Sequence, residues 1–277
     1  MPTQAEKALA FRALHARHGA FVIPNPWDAG SALLLSTLGF EALATTSAGH
    51  AFALGRRDGG GIGLAETLAN ARAIVDATDL PVSADLENGF GDAPEACAET
   101  IRAASAVGLA GGSIEDASGD PKHPIYDFGH AVERVAAAVE AARALPIPFV
   151  LTARAENFLH GRPDLDDTIR RLQAFENAGA DVLYAPGLTQ LDQIRTVCSS
   201  VSRPVNVVMG LVGGRFSVAE LAEAGVKRIS LGSALARAAL GALMRAAREI
   251  RENGTFSFAA EAMPFAEVER QMRPKNA

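Results

Sequence analysis

Carboxylates and one arginine close a series of apolar runs in this sequence. PVSADLE (81–87) ends on Asp85 and Glu87, and GGSIED (111–116) ends on Glu115 and Asp116. PFVLTARAE (148–156) ends on Arg154 and Glu156, and FVIPNPWD (21–28) ends on Asp28. An isolated buried carboxylate is costly. Several delivered to one end of one sheet imply a bound cation. Hard cations such as Mg²⁺ take oxygen ligands, usually one or two carboxylates with water and substrate. The DLENGFGD stretch (85–92) adds Asp92 beside Gly89 and Gly91 but lacks the spaced pattern of an EF-hand. Neighbours in a strand point to opposite sides, so one of Glu115 and Asp116 faces the site. Counting back through Ser113 selects Glu115. Arg154 suits a bidentate substrate carboxylate or phosphate, or else braces Glu115 or Glu87. Asn206, inside PVNVVM, serves either the core or a substrate. His50, His123 and His130 have no zinc-ligand spacing.

The elements that must position these residues follow from periodicity. Eight strand-like segments occur, at 21–25, 42–47, 81–86, 111–116, 148–154, 180–186, 204–209 and 228–232. Ala-rich amphipathic stretches at 64–78, 93–108, 130–145 and 164–179 separate several of them. Pro94 suits a first helical position, and Gly108 and Gly179 suit helix ends. Repeated strand–helix alternation means a parallel sheet with crossover helices. Eight units in 277 residues favour one closed (β/α)8 barrel domain over residues 1–277. Such barrels carry their chemistry on the loops at the C-terminal strand ends. There, TTSAGHAFALGRRDGG (45–60) offers the tight turn Ser47–Ala48–Gly49 and then Asp58. The polar ASGDPKHPIYDF (117–128) reads as a lid. A long helix spans 234–253. Beyond it, residues 255–277 form an apolar tail with Phe256, Phe258, Met263 and Phe265, suited to packing on a neighbouring subunit.

Bulk properties narrow the class. The net charge of −6 gives no support for nucleic-acid binding. No run of about 18 apolar residues suggests a membrane span, and no signal peptide is evident. Cys97 and Cys198 are expected as unpaired thiols, which fits a reducing cytoplasm.

Together, S-A-G (47–49), D-x-E-x-G-x-G (85–91), I-E-D (114–116) and A-R-x-E (153–156) resemble the isocitrate lyase/phosphoenolpyruvate mutase superfamily. The branch most similar is that of 2-methylisocitrate lyase and oxaloacetate decarboxylase-like proteins. The similarity extends from about residue 8 to 250. It implies an α/β barrel whose last helix is swapped between neighbours, in a homodimer or homotetramer. It also implies Mg²⁺ (with Mn²⁺ an alternative) and cleavage or formation of C–C or P–C bonds next to a 2-oxo carboxylate. By resemblance, Asp85 is the direct metal ligand, and Glu87 and Glu115 hold metal-bound water. Asp58 joins the metal environment, Ser47, Ala48 and Gly49 grip the substrate carboxylate, and Arg154 contacts substrate oxygens. Asp58, Glu115 and Arg154 are thus the catalytic candidates, and Asn206 joins the substrate-binding group.

Three departures from the superfamily pattern stand out. Glu87 replaces the usual Asp. The lid reads DPKHPIYDF, without the cysteine that serves the lyases as acid. The expected Pro-Glu after strand six reads YAPG (184–187). These residues point to a Mg²⁺-dependent carbon–carbon lyase acting on a small 2-oxo or 2-hydroxy carboxylic acid through a pyruvate-like enolate. Decarboxylation needs no acid for the departing CO₂. Other cleavages need a proton from Tyr126, His123 or water. The alternatives are P–C bond chemistry, a non-catalytic 2-oxo acid binding relative, and a phosphate-binding barrel using GLVGG (210–214) and LGSA (231–234).

Overall fold

A computed structural model describes residues 2–59, 61–211 and 214–272. Parts of the expected tail (273–277) and of the GLVGG segment (212–213) lie outside the described residues, as does position 60 of the 45–60 loop. The strands are β1 (Phe21–Ile23), β2 (Leu43–Ala44), β3 (Val82–Asp85), β4 (Gly111–Glu115), β5 (Val150–Arg154), β6 (Val182–Tyr184), β7 (Val205–Val208) and β8 (Arg228–Ser230). All pair in parallel, in the order β1-β8-β7-β6-β5-β4-β3-β2. The Ala44 N–H donates to the Pro24 carbonyl at 3.0 Å, which joins the two edges into a barrel. The helices are α1 (Gln4–Ala16), α2 (Ala29–Ser36), α3 (Ser47–Ala53), α4 (Leu64–Ala77), α5 (Pro94–Ala106), α6 (Phe128–Arg143), α7 (Leu165–Asn177), α8 (Leu191–Ser200), α9 (Val218–Glu223), α10 (Ala234–Asn253) and α11 (Phe265–Gln271).

All eight expected strands are present, several of them shorter than expected, and the causes are local. The Thr46 side chain accepts the Gly49 N–H, which starts α3 and ends the second strand early. After β1 come Pro24 and Pro26, which have no N–H for a ladder. Asp28 therefore leaves the sheet and caps α2, accepting the Ser31 N–H at 2.7 Å. It is a capping residue, not the strand-end carboxylate expected from the sequence.

Alternation along the strands divides the apolar residues. Outward residues such as Ile114, Leu151, Ala153, Leu183, Val207 and Ile229 pack beneath the helices. Inward residues at the strand beginnings (Phe21, Val150 and Val182) meet Phe11 and Leu14 of α1, which plugs the barrel floor. Higher up, the inward positions are polar: Ser83, Ser113, Thr152, Asn206 and Ser230 are all buried. Barrel interiors are usually filled by branched apolar side chains. Here polar groups leave the interior open to a ligand.

The C-terminal part behaves differently. Ala236 is the buried residue of α10, while Leu240, Leu243 and Met244 are exposed, as are Phe256 and Phe265 beyond it. Met272 lies against Gly30 of the same chain. Cys97 and Cys198 are unpaired, as expected. Among the described residues no helix is long and apolar enough to cross a membrane.

His15 of α1 is buried between Phe11 and Phe21, and its Nδ1 donates to the Phe11 carbonyl at 2.8 Å. Burial, with help from Arg228 and Lys227, pushes its pKa down to about 3. The unfolded chain therefore binds a proton at His15 that the folded chain refuses between about pH 6.5 and 3. Stability is lost as pH falls through that window, by up to about 1.4 kcal/mol per unit. Melting curves from pH 7 to 4.5 should show a smaller loss of Tm in His15→Leu than in the native chain.

Candidate active site

One cross-strand row organises the site. Glu115 of β4 pairs in register with Arg154 of β5, then Tyr184 of β6, Asn206 of β7 and Arg228 of β8. Register partners share a face, and here it is the inner one. Barrel strands tilt against the axis. The row therefore begins at the mouth with Glu115 and descends to Arg228.

Arg154 is the hub. Its Nη1 reaches Asp85 Oδ1 at 2.9 Å, its Nη2 reaches Glu115 Oε2 at 3.0 Å, and its Nε reaches Glu156 Oε1 at 2.8 Å. Its guanidinium lies over the Tyr184 ring at 5.1 Å. Burial opposes the charge, but Glu115, Glu156 and Asp85 hold the guanidinium protonated well beyond its usual range. Of the two roles open to Arg154, bracing is the one observed, and it engages Glu115 rather than Glu87.

The carboxylates around it are mutually repulsive. Burial raises the pKa of Glu115 and Glu156, with Arg154 opposing. Burial and then Asp85 raise Asp58. Burial, Asp85 and Asp58 together push Glu87 up to about 7. Asp85 is held on its other side by the Ser47 hydroxyl at 2.7 Å. Five carboxylates thus surround one guanidinium, a surplus of four negative charges when all are ionised. Asp116, as the alternation requires, turns away. It accepts the Glu156 N–H at 2.7 Å and pairs with Arg171 of α7 at 3.0 Å.

The loop after β3 is bent to hold this arrangement. Glu87 and Phe90 adopt positive φ of 47° and 59°, a strained choice for residues with side chains. Arg134 of α6, almost fully buried, donates to the carbonyls of Asn88, Gly91 and Asp92 and fixes the loop from below. Gly89 has φ 81°, and a Cβ there would lie 2.9 Å from Cys97 Sγ, so only glycine fits.

A cavity of about 150 Å³ opens beside the hub, lined at its mouth by Ser47, Ala48, Asp58, Asp85, Arg154 and Tyr184. Asn206 lines it too, but its side chain is held by Ser230 and Arg228. Gly49 is not in the lining: its N–H bonds Thr46, and a side chain there would meet Thr46 and Trp27. Glu115 is likewise absent from the lining. Glu87 lies instead on a small neighbouring space with Asp85, Ser47, His50, Thr67 and Asn70. Among the described residues no three His, Cys, Asp or Glu side chains are grouped to hold a metal ion by themselves. Asp85, Glu87 and Glu115 form no such group. One direct carboxylate with water between the ion and the others matches the donor preference of Mg²⁺. The surplus of carboxylates fits that ion.

The 117–128 loop, expected as a lid, is pinned at its base by the Ala117–Ile125 bridge. Neither proposed lid acid reaches the cavity lining. The Tyr126 hydroxyl donates to Asp92 at 2.6 Å, and burial pushes its pKa up to about 12. His123 is exposed beside Asp120. The structure also brings in residues the sequence reading passed over. Asn25 links the ends of three strands, donating to the Thr45 carbonyl and accepting the Leu231 and Gly232 N–H groups. Arg228 sits in the interior of the cavity. A charged residue inside the alternation of VKRIS was the available signal for it.

An acidic, arginine-centred mouth on an eight-stranded parallel barrel is the site arrangement of a barrel enzyme, and the relatives of this chain are lyases and mutases. The family model of phosphoenolpyruvate phosphomutase matches residues 11–251, and the chain belongs to this phosphoenolpyruvate mutase/isocitrate lyase superfamily. A crystal structure from Burkholderia cenocepacia J2315, described no more finely than as a lyase/mutase, is 61% identical with a TM-score of 0.96. It covers 99% of this chain and 98% of its own. The 2-methylisocitrate lyase of Shewanella oneidensis is 31% identical over 255 residues, 89% of this chain and 86% of that protein. The crystal structure of a 2,3-dimethylmalate lyase is 29% identical with a TM-score of 0.85, covering 98% of this chain and 95% of its own.

Removing the hub leaves buried carboxylates without a counter-charge, which costs about 3–5 kcal/mol. Arg154→Met should melt well below the native chain. Its carboxylates then have folded pKa values raised further, so its stability deficit against the native chain should shrink as pH is lowered from 7.5 to 5.5. Melting at both pH values checks the loss and its sign.

Proposed function

We propose that this chain is a divalent-metal-dependent lyase that breaks a C–C bond of a small 2-oxo or 2-hydroxy carboxylic acid through a pyruvate-like enolate. The observation that carries the reading is the surplus of carboxylates around Arg154 at the edge of a polar cavity. The lyase names of the 2-methylisocitrate and 2,3-dimethylmalate relatives support it. Asp85 would hold Mg²⁺ directly, with Asp58, Glu87 and Glu115 bonding its waters. Bound there, the ion supplies Lewis-acid stabilisation of an enolate oxygen.

The chain's own groups do the rest. Ala48 offers its backbone N–H to the substrate carboxylate at the mouth, beside Ser47, whose hydroxyl and N–H hold Asp85 in place. Arg154 holds Asp85 and Glu115 in place, and its charge faces the developing oxyanion, commonly the largest stabilising contribution. Tyr184 closes the wall next to it. The mouth holds no cysteine, since Cys97 lies beneath the loop after β3, with its Sγ near the Asn88 carbonyl. This favours a cleavage whose departing group needs no proton, such as decarboxylation. P–C bond chemistry is the second reading, favoured by the phosphomutase family match. We further propose that the exposed apolar face of α10 and the tail pack on a second copy in a dimer or tetramer.

Oxaloacetate, 2-methylisocitrate, isocitrate and phosphonopyruvate, each with Mg²⁺ and with EDTA, separate these readings. Metal-dependent pyruvate from a C–C substrate, or glyoxylate from isocitrate, is the expected result. Pyruvate from phosphonopyruvate alone would move the protein to P–C chemistry. Silence throughout would favour a binding protein. Sedimentation should give a dimer or tetramer, shifted towards monomer by Leu243→Glu.

A further inference from the structure

Arg228 is a positive charge inside the barrel that no carboxylate balances. It opens β8, faces inward and is only 5% exposed. Its Nε donates to Asn206 Oδ1 at 2.8 Å and its Nη2 to Thr152 Oγ1 at 3.0 Å. Its Nη1 has no partner. Among the described residues no carboxylate lies within ion-pair distance of it.

Two other arginines of the interior are balanced by carboxylates: Arg154 by three of them and Arg171 by Asp116 and Asp167. Arg134, like Arg228, faces only neutral oxygens and leaves its Nε without a partner, but it is absent from the cavity lining, where Arg228 is present. A buried guanidinium facing only neutral oxygens is costly until a counter-charge arrives. Burial moves the Arg228 pKa down to about 10, opposed by Tyr184, so it stays charged at neutral pH. His15 below is neutral there and supplies no counter-charge.

Position gives this charge a use. Thr152 precedes Arg154 by two residues on β5, so Arg228 lies one inward layer below the hub. It lines the same cavity as Ser47, Asp58 and Asp85, and the wall between carries the neutral polar groups of Ser113, Asn206 and Ser230. Arg154 has Nε and both terminal nitrogens on carboxylates, whereas Arg228 keeps one terminal nitrogen buried and without a partner. A guanidinium recognises a carboxylate well because its planar donors match two oxygens. The cavity of about 150 Å³ is sized for a small molecule; an engineered cavity of that order takes up benzene.

We propose that Arg228 binds a second carboxylate of the substrate, at the end remote from the Asp85 mouth, and so selects a small diacid over a monoacid. This rests on the reading that the cavity takes a carboxylic acid at its mouth. Asn206 and Thr152 then act as positioning residues that orient the guanidinium.

Calorimetry with three probes tests this. Oxalate is too short to leave the mouth, succinate carries a carboxylate at each end, and butyrate has the same chain length with one. The native chain should bind succinate at least about tenfold more tightly than butyrate, the loss expected for an unfilled buried charge site. Arg228→Met and Arg228→Gln should lose that preference while keeping Mg²⁺-dependent oxalate binding, and Arg228→Lys should keep part of it. Equal binding of succinate and butyrate by the native chain overturns the proposal, as does a preference that survives in Arg228→Met. The native comparison decides even if a variant fails to fold. Run without Mg²⁺ as well, it reports on the preference free of the metal's contribution. Absence of metal-dependent oxalate binding would instead count against the mouth reading.

Discussion

The ion pairs of Arg154 set the terms for everything around them. One guanidinium holds Asp85, Glu115 and Glu156, three carboxylates from three different strand ends. Without it, the like charges would drive protons onto the carboxylates or force the strand ends apart. With it, they remain close, yet the negative charge is still in excess because Asp58 and Glu87 crowd the same space. Burial and then this crowding raise the carboxylate pKa values of Asp58 and Glu87. A divalent cation relieves this directly, and that is the physical basis for reading the mouth as a metal site.

The barrel makes such crowding possible. A parallel strand delivers its last inward side chain to the mouth, and eight strands closed on themselves bring those side chains towards one axis. Tilt turns a single register row into a staircase, from Glu115 at the top through Arg154, Tyr184 and Asn206 to Arg228. The same row therefore carries an over-satisfied arginine near the mouth and an under-satisfied one below it. Support comes from outside the sheet: Arg134 fixes the strained loop that carries Glu87, and Arg171 holds Asp116 on the helix side. These buried cations keep the loops in place without entering the cavity.

Much of this was legible in the sequence because it depends on period and on type. Apolar runs ending in charge marked β3, β4 and β5, and strand alternation correctly separated Glu115 from Asp116. Asp28 misled because its run is broken by two prolines, and a carboxylate followed by Ser31 makes a helix cap as readily as a strand end. Gly49 was assigned to substrate binding, but the Thr46 cap engages its N–H and turns it towards Trp27. Arg228 escaped notice because its meaning lies in what it lacks, and a missing partner is visible only in three dimensions. The same holds for Arg134, whose loop carbonyls lie more than 40 residues away in the chain.

Calorimetric titration of Mg²⁺ into the metal-free native chain and into Asp85→Asn tests the central claim most directly. The charge argument predicts one saturable site per native chain, lost or greatly weakened in Asp85→Asn with the fold intact. Proton release should accompany the native binding near pH 7, because Glu87 is partly protonated there until the ion arrives. No binding to the native chain, or equal binding to the variant, would contradict the account.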